Sequence, residues 1–183
     1  TWPIVLTTLL DGADLSVAQA EWAMSEIMTG QATGAQIGGF LTTLNAKGVT
    51  VNEIVGFRDA ILEEAAPIGL DPVALTIAGT GGDRFGTVNI STMASIIAAA
   101  AGAPVVKHGN RAASSKSGSS DVLTALGIDL GLDATELLAV YRETGIAFVH
   151  AARFLPGFRH AGPARAELGI PTVFNLLGPL AHP

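Results

Sequence analysis

The stretch VALTIAGTGGD, residues 73–83, decides the fold that the sequence predicts. Val73–Ala78 has the apolar composition of a strand, and a glycine-rich loop begins directly after it at Gly79. A very apolar helix is predicted over Thr92–Ala101, and a short buried strand over Pro104–Val106. A strand, a loop, a helix and a second strand in this order predict an α/β domain with a mainly parallel sheet.

The same alternation continues towards the C-terminus. A helix is predicted over Asp121–Leu126, and an Asp-x-x-Glu signature at Asp133 opens another, which runs to about Glu143. Ile146–His150 is the next predicted strand. Short helical pieces are predicted over 165–168 and 172–177.

The first 66 residues predict helices only. Three capping-box signatures, in which Ser or Thr is followed three residues later by Gln or Glu, each precede an amphipathic run. The helices predicted in this part are a short one over about 2–10, then 17–28, 34–47 and 51–65. We therefore expect a helical domain over residues 1–66, which helices within 163–180 rejoin, and the first part of an α/β domain over 73–162.

Composition and charge narrow the class of ligand. The 183 residues are 49% hydrophobic and 14% charged, with a net charge of −6. Residues 1–78 hold nine acidic and two basic side chains, whereas 104–120 hold three basic side chains and no acid. A local basic pocket on an acidic protein predicts a small anion rather than nucleic acid. No apolar run is long enough to span a membrane, and the absence of cysteine fits a reducing compartment.

Two stretches have the composition of phosphate-binding loops. Gly79–Asp83 leads into Thr87–Thr92, and Lys107–Ser119 is rich in glycine, serine and basic residues. Glycines let main-chain N–H groups approach an anion, and hydroxyls and cations supply further donors. The Gly79–Asp83 loop is neither a Walker A loop nor a dinucleotide fingerprint, because no Gly-Lys-Ser/Thr follows and Arg84 stands where the third glycine should be.

Structural explanations stay open for each of these features. The glycines could form a plain turn, and Ser91 and Thr92 could serve only as helix caps. The Lys107–Ser119 stretch could be a surface loop, His108 a core histidine and Arg165 a solvated helix charge.

The chain resembles the anthranilate phosphoribosyltransferase family at these residues and beyond them. The shared motifs, in chain order, are Gly79–Asp83, Asn89–Thr92, Lys107–Ala112, Ser114–Ser119, Asp121–Gly127, Arg165–Gly169 and Phe174–Leu180. The resemblance covers nearly the whole chain. One departure is Leu155-Pro156, where the family usually has a histidine before the proline.

The resemblance implies an architecture and an assembly. The implied fold class is α/β, with a small N-terminal all-helical domain and a larger α/β domain with a mainly parallel central sheet. The site would lie in the cleft between the domains, and a homodimer would form through the helical domain. Family members are nearly twice as long, so the sheet is expected to be incomplete in this chain and the chain truncated at its C-terminal end.

The resemblance also implies a reaction, a cofactor and site residues. The enzyme would be a cytoplasmic pentosyltransferase of tryptophan biosynthesis that joins the phosphoribosyl group of 5-phosphoribosyl 1-diphosphate to anthranilate, with Mg²⁺ held at Ser91. No covalent nucleophile is expected, and Lys107 would act as an electrostatic clamp. Anthranilate would contact Gly79, Asn110 and Arg165. The residues implied in binding phosphoribosyl diphosphate are Gly79, Gly82, Asp83, Thr87, Asn89, Ser91, Thr92, Lys107 and Ser119, and Ser115 is a further substrate-binding candidate.

Two alternatives of other classes remain. Leu155 motivates a related phosphoribosyltransferase or phosphorylase with a different acceptor. A non-catalytic nucleic-acid-binding relative is the other, and the acidic charge balance opposes it.

Overall fold

The structure, a computed structural model, describes residues 1–70, 73–78, 88–109 and 119–181. These residues form two compact units, one made of Thr1–Ala65 with the described residues from Leu155 on, the other of the described part of Ala66–Phe154. The described elements are α1 (Trp2–Leu10), α2 (Val17–Met28), α3 (Gly34–Lys47), α4 (Val51–Glu63), β1 (Leu75–Thr76), α5 (Ile90–Ala100), β2 (Val105–Gly109), α6 (Ser119–Ala125), α7 (Ala134–Thr144), β3 (Ile146–His150), α8 (Ala151–Phe154), α9 (Phe158–Leu168) and α10 (Phe174–Leu177).

Helices α2, α3 and α4 each begin at a complete capping box. In each, the N-cap hydroxyl accepts from the main-chain N–H three residues on, and the side chain there accepts from the N-cap N–H in return. The pairs are Ser16 with Gln19, Thr33 with Gln36, and Thr50 with Glu53. The three helix starts predicted from the sequence are therefore confirmed.

Aromatic rings form the centre of the helical unit. Phe40 meets Trp2 at a centroid distance of 6.0 Å and Phe57 at 5.6 Å, both in edge-on geometry. All three side chains are buried. Edge-on pairs add to the free energy of area burial because the positive ring edge meets the negative ring face.

Gly56 sets the distance between α2 and α4. A Cβ atom at this position would lie 2.5 Å from the carbonyl oxygen of Val17 and 3.0 Å from Cβ of Ala20. Because such contacts are closer than van der Waals radii allow, only glycine permits this approach of the two helices.

The second unit contains a three-stranded sheet in the order β1-β2-β3 with all strands parallel. The register pairs Val105 with Ile146 at one end of β2 and Gly109 with His150 at the other. Helix α7 leads into β3 from a capping box at Asp133 and ends at the left-handed Gly145. A helical unit and a parallel α/β unit confirm the predicted fold class.

Strand β2 is longer than the sequence predicted. The predicted strand ended at Val106 and a basic loop began at Lys107, which is wrong, since Lys107 and His108 pair with Phe148 and Val149 of β3. Main-chain hydrogen bonds to the neighbouring strand keep these two residues in the sheet, although polar residues are less common in strands. Strand β1 is shorter than predicted, with Leu75 and Thr76 alone in the ladder.

Helix α9 is also longer than predicted. It starts at Phe158 rather than Arg165 and carries Pro163 inside it. Proline removes one main-chain donor and usually breaks a helix. Here Ala161 and Ala164 are buried in the core of the helical unit, and α9 contacts α2 and α3, so tertiary packing sustains the helix.

Helix α5 keeps an apolar face in solvent. Ile90, Met93, Ile96 and Ile97 are all more than 40% exposed. The helix has 11 residues and spans roughly 16 Å at 1.5 Å per residue, far less than a bilayer core. Over the described ranges, no helix is long and apolar enough to cross a membrane.

Candidate functional site

Lys107 is a buried cation in the middle of β2, and its ammonium group reaches the carboxyl end of β1. Its side chain extends from β2 and is 2% exposed. Its Nζ donates to the carbonyl oxygens of Ile77, at 3.3 Å, and His108, at 2.9 Å. Burial lowers the pKa of Lys107, because a low-dielectric environment disfavours the ammonium form.

The described part of the chain gives this ammonium no acidic partner. The ion pairs found there involve Lys47 and Arg58 only. The two carbonyls accept hydrogen bonds from the ammonium group of Lys107, but as neutral groups they do not neutralise its positive charge. In open sheets of this type, ligands bind at the carboxyl ends of the strands, so this charge favours an anionic ligand there.

Gly109 brings the first residue of α6 against the end of β2. A Cβ atom at Gly109 would lie 2.5 Å from Oγ of Ser119. The absence of a side chain at Gly109, two residues after Lys107 in β2, therefore leaves space for the Ser119 hydroxyl. The neighbouring Ser120 hydroxyl lies 3.4 Å from Nδ1 of His150, at the end of β3.

The start of α5 supplies polar groups that the helix itself does not use. Asn89 is the N-cap residue, but its side chain makes no capping hydrogen bond. Thr92 is 2% exposed, and its Oγ1 has no hydrogen-bond partner among the described residues. Ser91 contributes its carbonyl to the hydroxyl of Ser95 at 2.7 Å. The explanation of Ser91 and Thr92 as plain N-caps is wrong, because Asn89 occupies that position.

Arg165 lies in the helical unit on α9. Its Cζ lies 5.0 Å from the centroid of the Phe174 ring, within the range of a cation–π contact. The side chain is half-buried, and burial lowers the pKa of the guanidinium. It forms no ion pair with any described carboxylate, so a solvated helix charge is a poor description of it.

Six predicted site residues lie outside the described residues: Gly79, Gly82, Asp83, Thr87, Asn110 and Ser115. Their roles stay predictions. The described candidates group by unit. Asn89, Ser91, Thr92, Lys107 and Ser119 belong to the α/β unit, and Arg165 belongs to the helical unit.

The described residues include no group of three or more histidine, aspartate or glutamate side chains that could hold a metal ion. Ser91 offers one hard oxygen at the start of α5. Mg²⁺ often takes only one or two protein oxygens and fills its other positions with water and substrate phosphates. The described donor set therefore fits a magnesium ion that a diphosphate substrate brings.

A surface cavity of about 460 Å³ lies near the end of β3, lined by residues 127–131 with Thr124 and His150. Asp129 is the acidic side chain in this lining. A carboxylate opposes phosphate binding, so Lys107 and not this cavity marks the candidate anion site.

Sequence reasoning missed the environment of Arg165. Nothing in the sequence paired Phe174 with Arg165, or Phe158 with Phe174, whose rings meet at 5.4 Å and 83°. The spacing of nine residues from Arg165 to Phe174 spans the end of one helix and the start of another, so no single helical period relates them. Leu155, which suggested an altered acceptor site, is buried in the core of the helical unit.

Comparisons with known proteins agree with this architecture. The helical bundle domain of a glycosyl transferase family matches residues 3–65, and the a/b domain of a glycosyl transferase family matches residues 71–183. The chain belongs to this glycosyl transferase family.

The individual relatives have narrower names than the family. The chain is 62% identical to an anthranilate phosphoribosyltransferase of Clavibacter michiganensis over 184 residues, which cover 100% of the chain and 52% of the relative. It superposes on the crystal structure of anthranilate phosphoribosyltransferase from Thermus thermophilus with a TM-score of 0.90 at 42% identity, covering 98% of this chain and 55% of that one.

A third relative was solved with ligands. Anthranilate phosphoribosyltransferase from Saccharomyces cerevisiae, in complex with PRPP and Mg, matches 99% of the chain and 55% of its own length, with a TM-score of 0.89 and 31% identity. The chain thus spans about half the length of the relatives that it matches.

Proposed function

We propose that the protein transfers the phosphoribosyl group of 5-phosphoribosyl 1-diphosphate to the amino group of anthranilate, and releases diphosphate. The observation that carries this proposal is the buried Lys107 ammonium, which has no acidic partner in the described part of the chain and contacts the carbonyl of Ile77 at the carboxyl end of β1. The relatives, all named for this activity, support the same reaction.

In this proposal the α/β unit holds the diphosphate. Lys107 supplies a positive charge. Hydrogen-bond donors come from Ser119 at the start of α6 and from Asn89, Ser91 and Thr92 at the start of α5. The unpartnered Thr92 hydroxyl supports this role, because a buried hydroxyl without a hydrogen bond costs free energy that a ligand oxygen would recover. The remaining donors are those predicted outside the described residues.

The reaction needs a stabilised leaving group rather than a nucleophile on the enzyme. The C1–oxygen bond breaks and its electron pair passes to the diphosphate, the nitrogen lone pair forms the C1–nitrogen bond, and the proton that the amine loses passes to water. Negative charge grows on the diphosphate while the ribose becomes oxocarbenium-like. A fixed cation and oriented N–H and O–H donors lower the free energy of that state because they need no reorganisation. A bound Mg²⁺ at Ser91 would add Lewis-acid stabilisation of the departing diphosphate.

Arg165 is the proposed partner of the acceptor's carboxylate. A guanidinium suits a carboxylate because it offers two parallel donors. Its partial burial strengthens such a pair, since the local dielectric constant is lower than in water.

Calorimetric titration with phosphoribosyl diphosphate, with and without Mg²⁺, tests this function. We expect the wild type to bind phosphoribosyl diphosphate, and to bind it more tightly with Mg²⁺. In a steady-state assay with anthranilate as acceptor, Lys107→Ala should lose about a hundredfold or more in turnover. Arg142→Ala is the matched control, because it removes an exposed cation from the same unit. A wild type that ignores this sugar phosphate, or a Lys107→Ala variant with normal turnover, would contradict the proposal.

The assembly and compartment belong to the same proposal. We expect a homodimer that forms through the helical unit, where Ile4, Leu10 and Val51 expose large apolar side chains. We expect a cytoplasmic protein without affinity for nucleic acid, given its net charge of −6. In sedimentation, the wild type should be a dimer and Leu10→Glu a monomer. A gel-shift assay with DNA at physiological salt should show no binding.

A further inference from the structure

Arg165 rests on the face of an aromatic ring that the protein holds in a fixed place. Phe174, at the start of α10, is 3% exposed, and its ring centroid lies 5.0 Å from Cζ of Arg165. Phe158 meets the same ring edge-on at 5.4 Å and 83°. The two elements that carry Arg165 and Phe174 are joined by a short turn at the left-handed Gly169.

We propose that Phe174 is a positioning residue for Arg165, whose ring fixes the guanidinium in the orientation that meets the carboxylate of the acceptor. The inference rests on the proposed function for the identity of that acceptor. Arginine has many rotamers, and a guanidinium that must grip a planar carboxylate with two parallel hydrogen bonds loses affinity when these rotamers are free. The ring's negative face attracts the cation and removes most of this freedom before the acceptor arrives.

The contact leaves the hydrogen bonds of the guanidinium free for a ligand. A carboxylate partner within the protein would compete for the same donors, whereas a ring face occupies none of them. No described carboxylate forms an ion pair with Arg165. The arrangement therefore holds the charge in place and keeps its donor edge available.

Phe158 provides a matched control. It has the same side chain, lies in the same unit and packs on Phe174, but the described cation–π contact of Arg165 is with Phe174. Phe158→Leu removes an aromatic ring from the cluster without removing the face under the guanidinium. Phe174→Tyr keeps that face, so it serves as the conservative rescue.

The first test measures the orientation directly, in the ligand-free protein. A proton held over a ring face shifts upfield in the NMR spectrum, so the Nε–H resonance of Arg165 should be upfield in the wild type, Phe174→Tyr and Phe158→Leu. It should return to the free-arginine position in Phe174→Leu. An unshifted wild-type resonance, or one that Phe174→Leu does not move, overturns the proposal.

The second test measures the consequence in steady-state kinetics with phosphoribosyl diphosphate and anthranilate. Phe174→Leu should raise KM for anthranilate by about tenfold, the equivalent of one partly buried cation–π contact, with KM for phosphoribosyl diphosphate unchanged. Phe174→Tyr and Phe158→Leu should stay near the wild type. An equal rise in Phe158→Leu, or none in Phe174→Leu, contradicts the positioning role.

The two tests separate the possible failures. A wild type that transfers no phosphoribosyl group counts against the proposed function, and the NMR test still decides whether the ring orients the guanidinium. An active wild type in which Phe174→Leu changes neither readout counts against the positioning role alone.

Discussion

Glu53 is a fully buried carboxylate at which three segments of the helical unit meet. Its Oε1 accepts from the main-chain N–H of Leu15 at 2.9 Å. Its Oε2 accepts from the main-chain N–H of Thr50 at 2.8 Å, and from the Thr50 hydroxyl and Nζ of Lys47 at 3.1 Å each. Lys47 also donates to Asp14 at 2.7 Å. One side chain therefore joins the loop before α2, the end of α3 and the start of α4.

Glu53→Gln should destabilise the protein strongly. In either orientation of the glutamine amide, its nitrogen would replace an oxygen that accepts at least one hydrogen bond. Lys47, whose side chain is 5% exposed, would keep only Asp14 as a charged partner. Removing one member of a buried ion pair costs about 3–5 kcal/mol of unfolding free energy. For a chain of this size, that loss lowers Tm by roughly 10 °C.

The pH of the assay does not complicate this prediction. Burial lowers the pKa of Lys47, but the hydrogen bonds that it donates to Asp14 and Glu53 outweigh burial, so the pKa is raised above its ordinary value. The ammonium stabilises the fold fully below the pKa of the unfolded chain, and this contribution is lost only as the pH rises through the folded pKa. Measurements near neutral pH therefore record the full effect.

Urea and thermal unfolding would measure the loss, with two further variants as controls. Asp14→Asn should cost only about 0–1 kcal/mol, because Asp14 is 64% exposed. Glu53→Gln combined with Lys47→Met should recover part of the loss, since no buried ammonium then lacks its partner. A single Glu53→Gln variant within about 1 kcal/mol of the wild type would refute the reasoning.

Three further outcomes follow from close contacts and from burial. Gly56→Ala should cost about 1–3 kcal/mol in unfolding, because its Cβ would overlap a main-chain carbonyl of α2. Gly38→Ala, with nothing within 4 Å, should instead stabilise α3 by up to about 1 kcal/mol, and equal effects of the two would contradict the packing argument. Gly109→Ala should weaken phosphoribosyl diphosphate binding in calorimetry and lower Tm, and adding Ser119→Ala should restore Tm but not binding; restored binding would exclude a role for the hydroxyl. Calorimetric binding should weaken as the pH rises through the lowered pKa of Lys107, while ligand-free stability rises up to pH 10.5 because the unfolded chain binds the extra proton. A Lys107→Arg variant with the same alkaline loss would show that another group titrates.

The candidate site was predictable in part. The sequence placed Lys107 among phosphate-binding residues because of its neighbours, but it predicted a loop where the structure has a strand. One of the two carbonyls that Lys107 contacts belongs to Ile77, which follows β1 and lies 30 residues earlier in the chain. Asn89 and Thr92 were expected at the start of α5, and the structure adds that neither side-chain oxygen is used for capping.

The sequence by itself determined what depends on neighbours three or four residues apart. The capping boxes at Ser16, Thr33, Thr50 and Asp133 fix helix starts, because both hydrogen bonds lie within one turn. Glycine at position 145 ends α7 for an equally local reason, its left-handed backbone.

Only the tertiary structure decided what depends on contacts between distant segments. Pairing with β3 keeps Lys107 in a strand, the approach of α2 requires Gly56, and packing on the helical core carries α9 through Pro163. The ring of Phe174 under Arg165 belongs to the same class. Local propensities differ by about 1 kcal/mol per residue, whereas burial of a large side chain contributes about 1.5–3 kcal/mol, so long-range packing prevails where the two disagree.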